Sequence, residues 1–287
     1  RVTGVQTCAL PIFTDEIPED APFVLIYQPT EDYTADEITK LSNFLINGGS
    51  YGKNLIYVAS AAQPELPNLE QFLSEWGIGV LPLVGYDETN YYSSPSYLVS
   101  QPADSDYTSN YDAASTVIYP DVYRLARRTF ETESRRYTTQ IVTSYDTTVG
   151  RPVDADQNWK AAEATESGPF DIILMGSAYD SKGDGEKTDE SHVVYFGGTY
   201  FLNQQILSAD SIYNSTLTLN IFNGISGANE TTETVNISPK VISANSFSSQ
   251  LINNSAPTVM YIVFVGIIPV GLIAAGIIIW NRRRKRT

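Results

Sequence analysis

Cysteine and histidine are nearly absent from this 287-residue chain, which holds one of each, Cys8 and His192. A single cysteine excludes an intramolecular disulfide, so stability must come from a buried core, which a chain of this length can supply. One cysteine with one histidine also excludes the ligand sets of a structural zinc site. Basic residues are scarce, with 18 Lys and Arg against 33 Asp and Glu and a formal charge of −15. Such an acidic chain lacks the surface that phosphate contacts require, so nucleic acid is excluded as a partner. Anionic lipid head groups would repel it, and the acidity is read as a solubility feature. No Walker A sequence is present, so any ATP hydrolysis must belong to a partner.

Charge is missing altogether from Val259 to Trp280, VMYIVFVGIIPVGLIAAGIIIW, which is followed by Asn281 and the basic cluster Arg282, Arg283, Arg284, Lys285 and Arg286. An apolar helix of about 22 residues rises about 33 Å, enough to cross a bilayer core. The reading is a single C-terminal transmembrane helix, 259–280, in the cell membrane. The basic cluster places the tail, 281–287, in the cytoplasm and the bulk of the chain outside. Gly266, Gly271, Ala275 and Gly276 are the candidate helix-packing residues, Gly271 and Ala275 having the small-xxx-small spacing, and Pro269 is a kink position. Residues 243–258 read as a Ser/Asn-rich stalk. At the other end, Val2–Ile12 looks like the translation of a sequencing-library adapter, so residues 1–12 are set aside. The true N-terminus, with any signal peptide or first membrane helix, is expected to be missing, and the source to be prokaryotic. The glycosylation sequons at Asn214, Asn229, Asn236 and Asn253 are then incidental.

Between these ends, residues 20–242 read as one extracytoplasmic α/β domain. Phe23–Tyr27 is a continuous apolar run, the pattern of a strand buried on both faces. Thr34 and Glu37 form a capping box, Ile38, Leu41, Phe44 and Leu45 make one helical stripe, and Gly48-Gly49 supplies the stop. A second strand, Asn54–Ala59, is followed by a helix opening at Leu66-Pro67-Asn68 and ending at Gly77, then a strand over Ile78–Leu83. Strand, helix, strand, helix, strand is the grammar of a parallel sheet with helices on its faces. Residues 86–115 are Tyr-, Ser- and Asp-rich without apolar period and read as an irregular insertion. Further strands are expected at Arg136–Thr143, Phe170–Met175 and Ser191–Phe196, helices near Thr199–Leu207 and Asn214–Ile225, and a last strand at Thr234–Ser238.

No constellation in the sequence carries chemistry. His192 falls inside a strand, where a structural role is expected, and whether it reaches a serine in space stays open. Ser177, in Met-Gly-Ser-Ala-Tyr, lacks the flanking glycines of the nucleophile elbow. Asp180–Glu186 superficially resembles a calcium loop, but Lys182 and Ser191 stand at ligand positions. An amidotransferase would need a nucleophilic cysteine. The expectation is a non-enzyme with no cofactor and no metal.

Several segments resemble the GldG-type auxiliary components of ABC transporters: Glu37–Gly49 with the strand at Leu55, Leu66–Ile78, Val193–Asn203, Asn220–Gly227, Ile237–Lys240 and the final apolar segment with its Arg tail. The resemblance implies a Rossmann-like or flavodoxin-like, glutamine-amidotransferase-like α/β domain held between two membrane helices. It implies an ABC permease and ATPase as partners, in systems linked to gliding motility. The expected function is a non-catalytic, membrane-anchored accessory subunit contacting permease or cargo. The alternative is a cell-surface receptor or adhesin that binds glycan or protein through 86–115.

Overall fold

The computed structural model describes residues 16–60, 63–112, 116–182, 186, 188–207, 212–226 and 262–284. The adapter-like segment, the stalk, the strand expected at 234–238, three of the sequons, and Lys285 and Arg286 lie outside them. The chain forms two units, the second containing the described residues 262–284.

The first unit opens as its local signals require. Strand β1, Phe23–Tyr27, leads to helix α1, Ala35–Ile46, whose capping box is formed: Glu37 N donates to Thr34 Oγ1 at 3.3 Å and Thr34 N to Glu37 Oε2 at 2.8 Å. The helix stops where Asn47, Gly48 and Gly49 all take positive φ. Strand β2, Asn54–Val58, is buried throughout. Helix α2, Pro67–Glu75, has no cap from its own N-cap residue, Leu66. Asp32 caps it from the loop between β1 and α1 instead, accepting from Asn68 N at 2.9 Å and Leu69 N at 3.1 Å.

Beyond Gly77 the alternation of strand and helix ends. Ten strands follow: β3 Ile78–Leu81, β4 Leu83–Tyr86, β5 Tyr97–Pro102, β6 Val117–Pro120, β7 Leu125–Arg128, β8 Thr132–Glu133, β9 Arg136–Thr143, β10 Val149–Pro152, β11 Asp171–Ala178 and β12 Ser191–Phe196. The main sheet is 10-stranded, with the path β1-β2-β12-β11-β9-β5-β6 and with β3, β7 and β8 branching from it; β10 and β4 form a separate ribbon. Among the named strands of the described residues only β1–β2 and β2–β12 pair in parallel, and the remaining strand pairs are antiparallel.

This corrects the Rossmann-like or flavodoxin-like expectation. A parallel pair needs a crossover of about a dozen residues, usually a helix. Among the described residues no α-helix intervenes between β3 and β12, and the strands of that stretch pair with one another antiparallel; β12 alone of them also pairs in parallel, with β2. The apolar run expected as one strand over 78–83 breaks at Pro82 into β3 and β4, which join different sheets. The 86–115 stretch contributes β5 to the main sheet, pairing with β6 and β9.

Two cores cover the two faces of the sheet. One holds α1 and α2 together, through Leu41, Leu45, Leu69 and Phe72, against Leu55, Tyr57, Val193 and Tyr195. The other core sets helix α4, Asn214–Ile225, with Leu217, Ile221 and Ile225, against Ile56, Val58, Val194 and Phe196. A four-residue helix α3, Gln204–Leu207, precedes it.

In the second unit the expected transmembrane pass is also corrected. No helix of the described residues is long and apolar enough to cross a membrane. Ile262–Ile267 winds as a six-residue π-helix, and the α-helix α5 runs only from Ile268 to Arg284. Pro269, at its second residue, has no N–H to donate and fits only a first turn. From Ile268 to Trp280 the α-helical apolar part is about 20 Å long, short of the roughly 30 Å of a bilayer core. The assignment of a cytoplasmic tail and an extracytoplasmic body rested on that pass and falls with it.

Candidate functional site

The parallel part of the sheet presents its carboxyl ends where β2 and β12 finish side by side, Val58 opposite Phe196. Ala59 N still donates to Phe196 O at 2.9 Å, and the chain then turns away, Gln63 N reaching back to Ser60 O at 3.4 Å. Strand alternation sends Tyr57 and Tyr195 to the α1/α2 face, where register stacks their rings 5.5 Å apart. Both phenols are fully buried, so each needs a partner. Tyr57 donates to Gln63 Oε1 at 2.6 Å and Tyr195 to the Arg124 carbonyl at 2.9 Å.

Arg124 is the unusual member of this cluster. It stands just before β7, its backbone N donating to Gly197 O at 3.0 Å, and it is 4% exposed. Its Nη2 donates to the Gln63 carbonyl, but Nε and Nη1 have no acceptor among the described residues. Ser60 Oγ and Gln63 Nε2 are buried and also without a partner among the described residues. Glu70 on α2 is the acidic group that feels the Arg124 charge. Burial pushes its carboxyl up, against a hydrogen bond to the Leu66 backbone and the pull of Arg124. At the same end of the sheet, a surface pocket of about 420 Å³ is lined by Tyr27, Tyr123, Thr199, Tyr200 and Asn203. The sequence reading passed over Arg124. Its signal was a lone guanidinium inside the apolar run Val122–Ala126 of a chain poor in basic residues.

The question left open for His192 is answered by register. Tyr137, Ser177, His192 and Asn54 face one another across β9, β11, β12 and β2. Ser177 Oγ lies 2.9 Å from His192 Nδ1, and Tyr137 OH donates to Glu190. Burial lowers the His192 pKa, with Glu190 opposing. The neutral imidazole is therefore favoured and the pair has the elements of an activated hydroxyl. Ser177 is only 1% exposed, however, and neither it nor His192 lines the pocket above or the one beside Arg135 and Arg136.

The residues singled out from the sequence fall elsewhere. Gly266 lies in the π-helical turn and Gly271, Ala275 and Gly276 lie in α5; no atom stands within 4 Å of a Cβ added at Gly266, Gly271 or Gly276. Arg282, Arg283 and Arg284 are the last residues of α5. The calcium-like turn is organised by other bonds, with Asp180 paired to Arg135 and Lys182 N donating to Glu186 O at 2.6 Å. Among the described residues no group of three or more His, Cys, Asp or Glu is placed to hold a metal ion. Of the tyrosines in 86–115, Tyr107 is half-buried and packs against Gly224, and Tyr111 meets Tyr213 edge-on at 5.1 Å. Tyr91 and Tyr92 are exposed.

Comparison with known proteins returns no matching family model and no matching curated protein. Among solved structures, the N-terminal domain of mmIFT52 aligns over 74% of this chain and 82% of that one, at 16% identity and a TM-score of 0.49. A likeness that low transfers neither fold nor function.

Proposed function

We propose that this protein is a non-catalytic partner-binding module that serves as an accessory component of an ABC-type transport system, contacting permease or cargo through β1. The observation that carries the reading is the exposure pattern of that strand. Its alternate residues Val24 and Ile26 are buried, while Phe23, Leu25 and Tyr27 are 45%, 46% and 47% exposed. Parallel register places these three beside Asn54, Ile56 and Val58, so they continue the α4-covered face of the sheet past the reach of α4. Among the described residues β1 pairs only with β2, which leaves its other backbone edge open. An open edge with an apolar row beside it suits the addition of an extended, apolar partner segment. The ABC system enters through the resemblance of Glu37–Gly49, Leu66–Ile78 and Val193–Asn203 to its auxiliary components.

The test is cross-linked affinity capture of the full-length chain from cells of its source, with partners quantified by mass spectrometry. Recovery of a polytopic permease with its ATPase is expected, reduced at least tenfold by Leu25→Lys while the circular dichroism spectrum is unchanged. Recovery that is indifferent to Leu25→Lys would remove β1 from the interface. Capture of a glycan or foreign surface protein in place of the transporter, abolished by Tyr91→Ala with Tyr92→Ala, would replace this reading with the receptor.

A further inference from the structure

We propose that Arg124, Ser60 and Gln63 form a binding site for a small oxyanion group, a carboxylate or a phosphate, at the carboxyl ends of β2 and β12. Among the described residues, every polar group left without a partner there is able to donate: Arg124 Nε and Nη1, Gln63 Nε2 and the Ser60 hydroxyl. The guanidinium and amide nitrogens can only donate and the hydroxyl can donate or accept, so the set is complementary to a ligand that accepts. Two nearby acceptors are already engaged, Gln63 Oε1 receiving Tyr57 OH and the Gln63 carbonyl receiving Arg124 Nη2.

Charge separates an oxyanion from a neutral occupant. A buried guanidinium without a bonded counter-ion is costly, and a water or sugar hydroxyl would meet its geometry but not its charge. An oxyanion meets both, and its hydrogen bonds to the guanidinium are of the strong, charge-assisted kind. Glu70 is the nearby alternative, yet it makes no bond to Arg124 among the described residues, and burial disfavours its ionised form. The N-terminus of α2 does not compete for the ligand either, because the Asp32 carboxylate already occupies it. Stacked Tyr57 and Tyr195 fix the floor of the site, as Tyr57 holds Gln63 and Tyr195 holds the Arg124 backbone.

The site does not depend on the β1 reading, and its test reads the isolated chain. The thermal midpoint of the full-length protein is followed while sodium phosphate or sodium acetate replaces sodium chloride at constant ionic strength. A ligand that binds only the folded state raises the midpoint saturably, and at least one oxyanion is expected to do so. A response to phosphate alone identifies a phosphoryl group, and one to acetate alone a carboxylate. Arg124→Met should abolish the rise, with a midpoint in chloride equal to or above that of the wild type, because a well-packed apolar side chain replaces an uncompensated charge. Ser60→Ala should fold normally and raise the apparent Kd several-fold. No saturable response of the wild type to either anion, or an undiminished response in Arg124→Met, overturns the proposal. Should Arg124→Met fail to fold, an unchanged Kd in Ser60→Ala overturns it equally.

Discussion

Removing the Asp87 carboxylate should be among the most damaging single changes outside the apolar cores. Asp87 follows β4, is fully buried, and accepts four hydrogen bonds. Its Oδ1 takes Thr89 N and Asn90 N, both at 2.8 Å, and its Oδ2 takes Thr147 Oγ1 at 2.7 Å and Thr148 Oγ1 at 2.9 Å. It thereby ties the β4–β5 loop to the turn between β9 and β10. Burial pushes its carboxyl up, but the four donors outweigh that and hold it below the usual carboxylate range. Asp87→Ala leaves all four donors without that acceptor. At about 1.5–3 kcal/mol for a hydrogen bond to a charged group, and with strong non-additivity, the loss should be about 3–5 kcal/mol. Asp87→Asn keeps an oxygen for the two N–H groups and an amide for the hydroxyls, and should cost about 1–2 kcal/mol. Urea unfolding at neutral pH measures both, since with an m-value of about 2 kcal/mol/M the Ala variant's midpoint falls by about 2 M. The acid limb adds a second reading. The folded pKa is lower than the unfolded value of about 3.9, so the contribution is present above that value and is lost as pH falls through the folded pKa. The wild type's margin over Asp87→Asn should therefore shrink in that window. A loss below about 1 kcal/mol for Asp87→Ala, or equal losses for the two variants, would refute the accounting.

Two further outcomes are expected of the folded unit. His192 is held neutral by burial, its folded pKa lying below the unfolded value of about 6.5, so its contribution is present above that pH and is lost as pH falls towards the folded value. Stability measured from pH 7 to pH 5 should fall in the wild type and flatten in His192→Gln; a parallel decline in both would show that other groups titrate. Gly176 lets β11 approach the end of α2, and a Cβ there would come within 2.0 Å of Trp76 O. Gly176→Ala should cost about 2–3 kcal/mol by forcing helix and sheet apart, and a denaturation midpoint within error of the wild type would show that the approach is not constrained.

Local features proved legible residue by residue. Strand β1, the Thr34–Glu37 capping box, the stop after Ile46, β9, β12 and the apolar face of α4 all stand where composition and spacing put them. Each depends on contacts within a few residues, which a sequence window contains. The expected burial of β1 on both faces was wrong for a related reason. An apolar run reports hydrophobicity, whereas the position of β1 at the sheet edge, beyond α4, depends on which strands fill the interior. The C-terminal run likewise satisfied a length rule in sequence, but Pro269 and the π-helical turn before it divide its helical path.

What the sequence by itself determined, then, is a part of the elements with their ends, such as β1, α1, β9, β12 and α4, because propensity, capping and turn chemistry are short-range. Strand order and direction were decided only by the tertiary structure, since they follow from which distant strands can pair without a crossover helix. The candidate site belongs to that second class. Ser60 and Gln63 are separated from Arg124 by some sixty residues, and no local signal records that one guanidinium is buried beside them without a counter-ion. The Ser177–His192 contact is of the same kind, a consequence of the antiparallel register of β11 on β12, which places side by side two residues that strand propensity alone leaves unrelated.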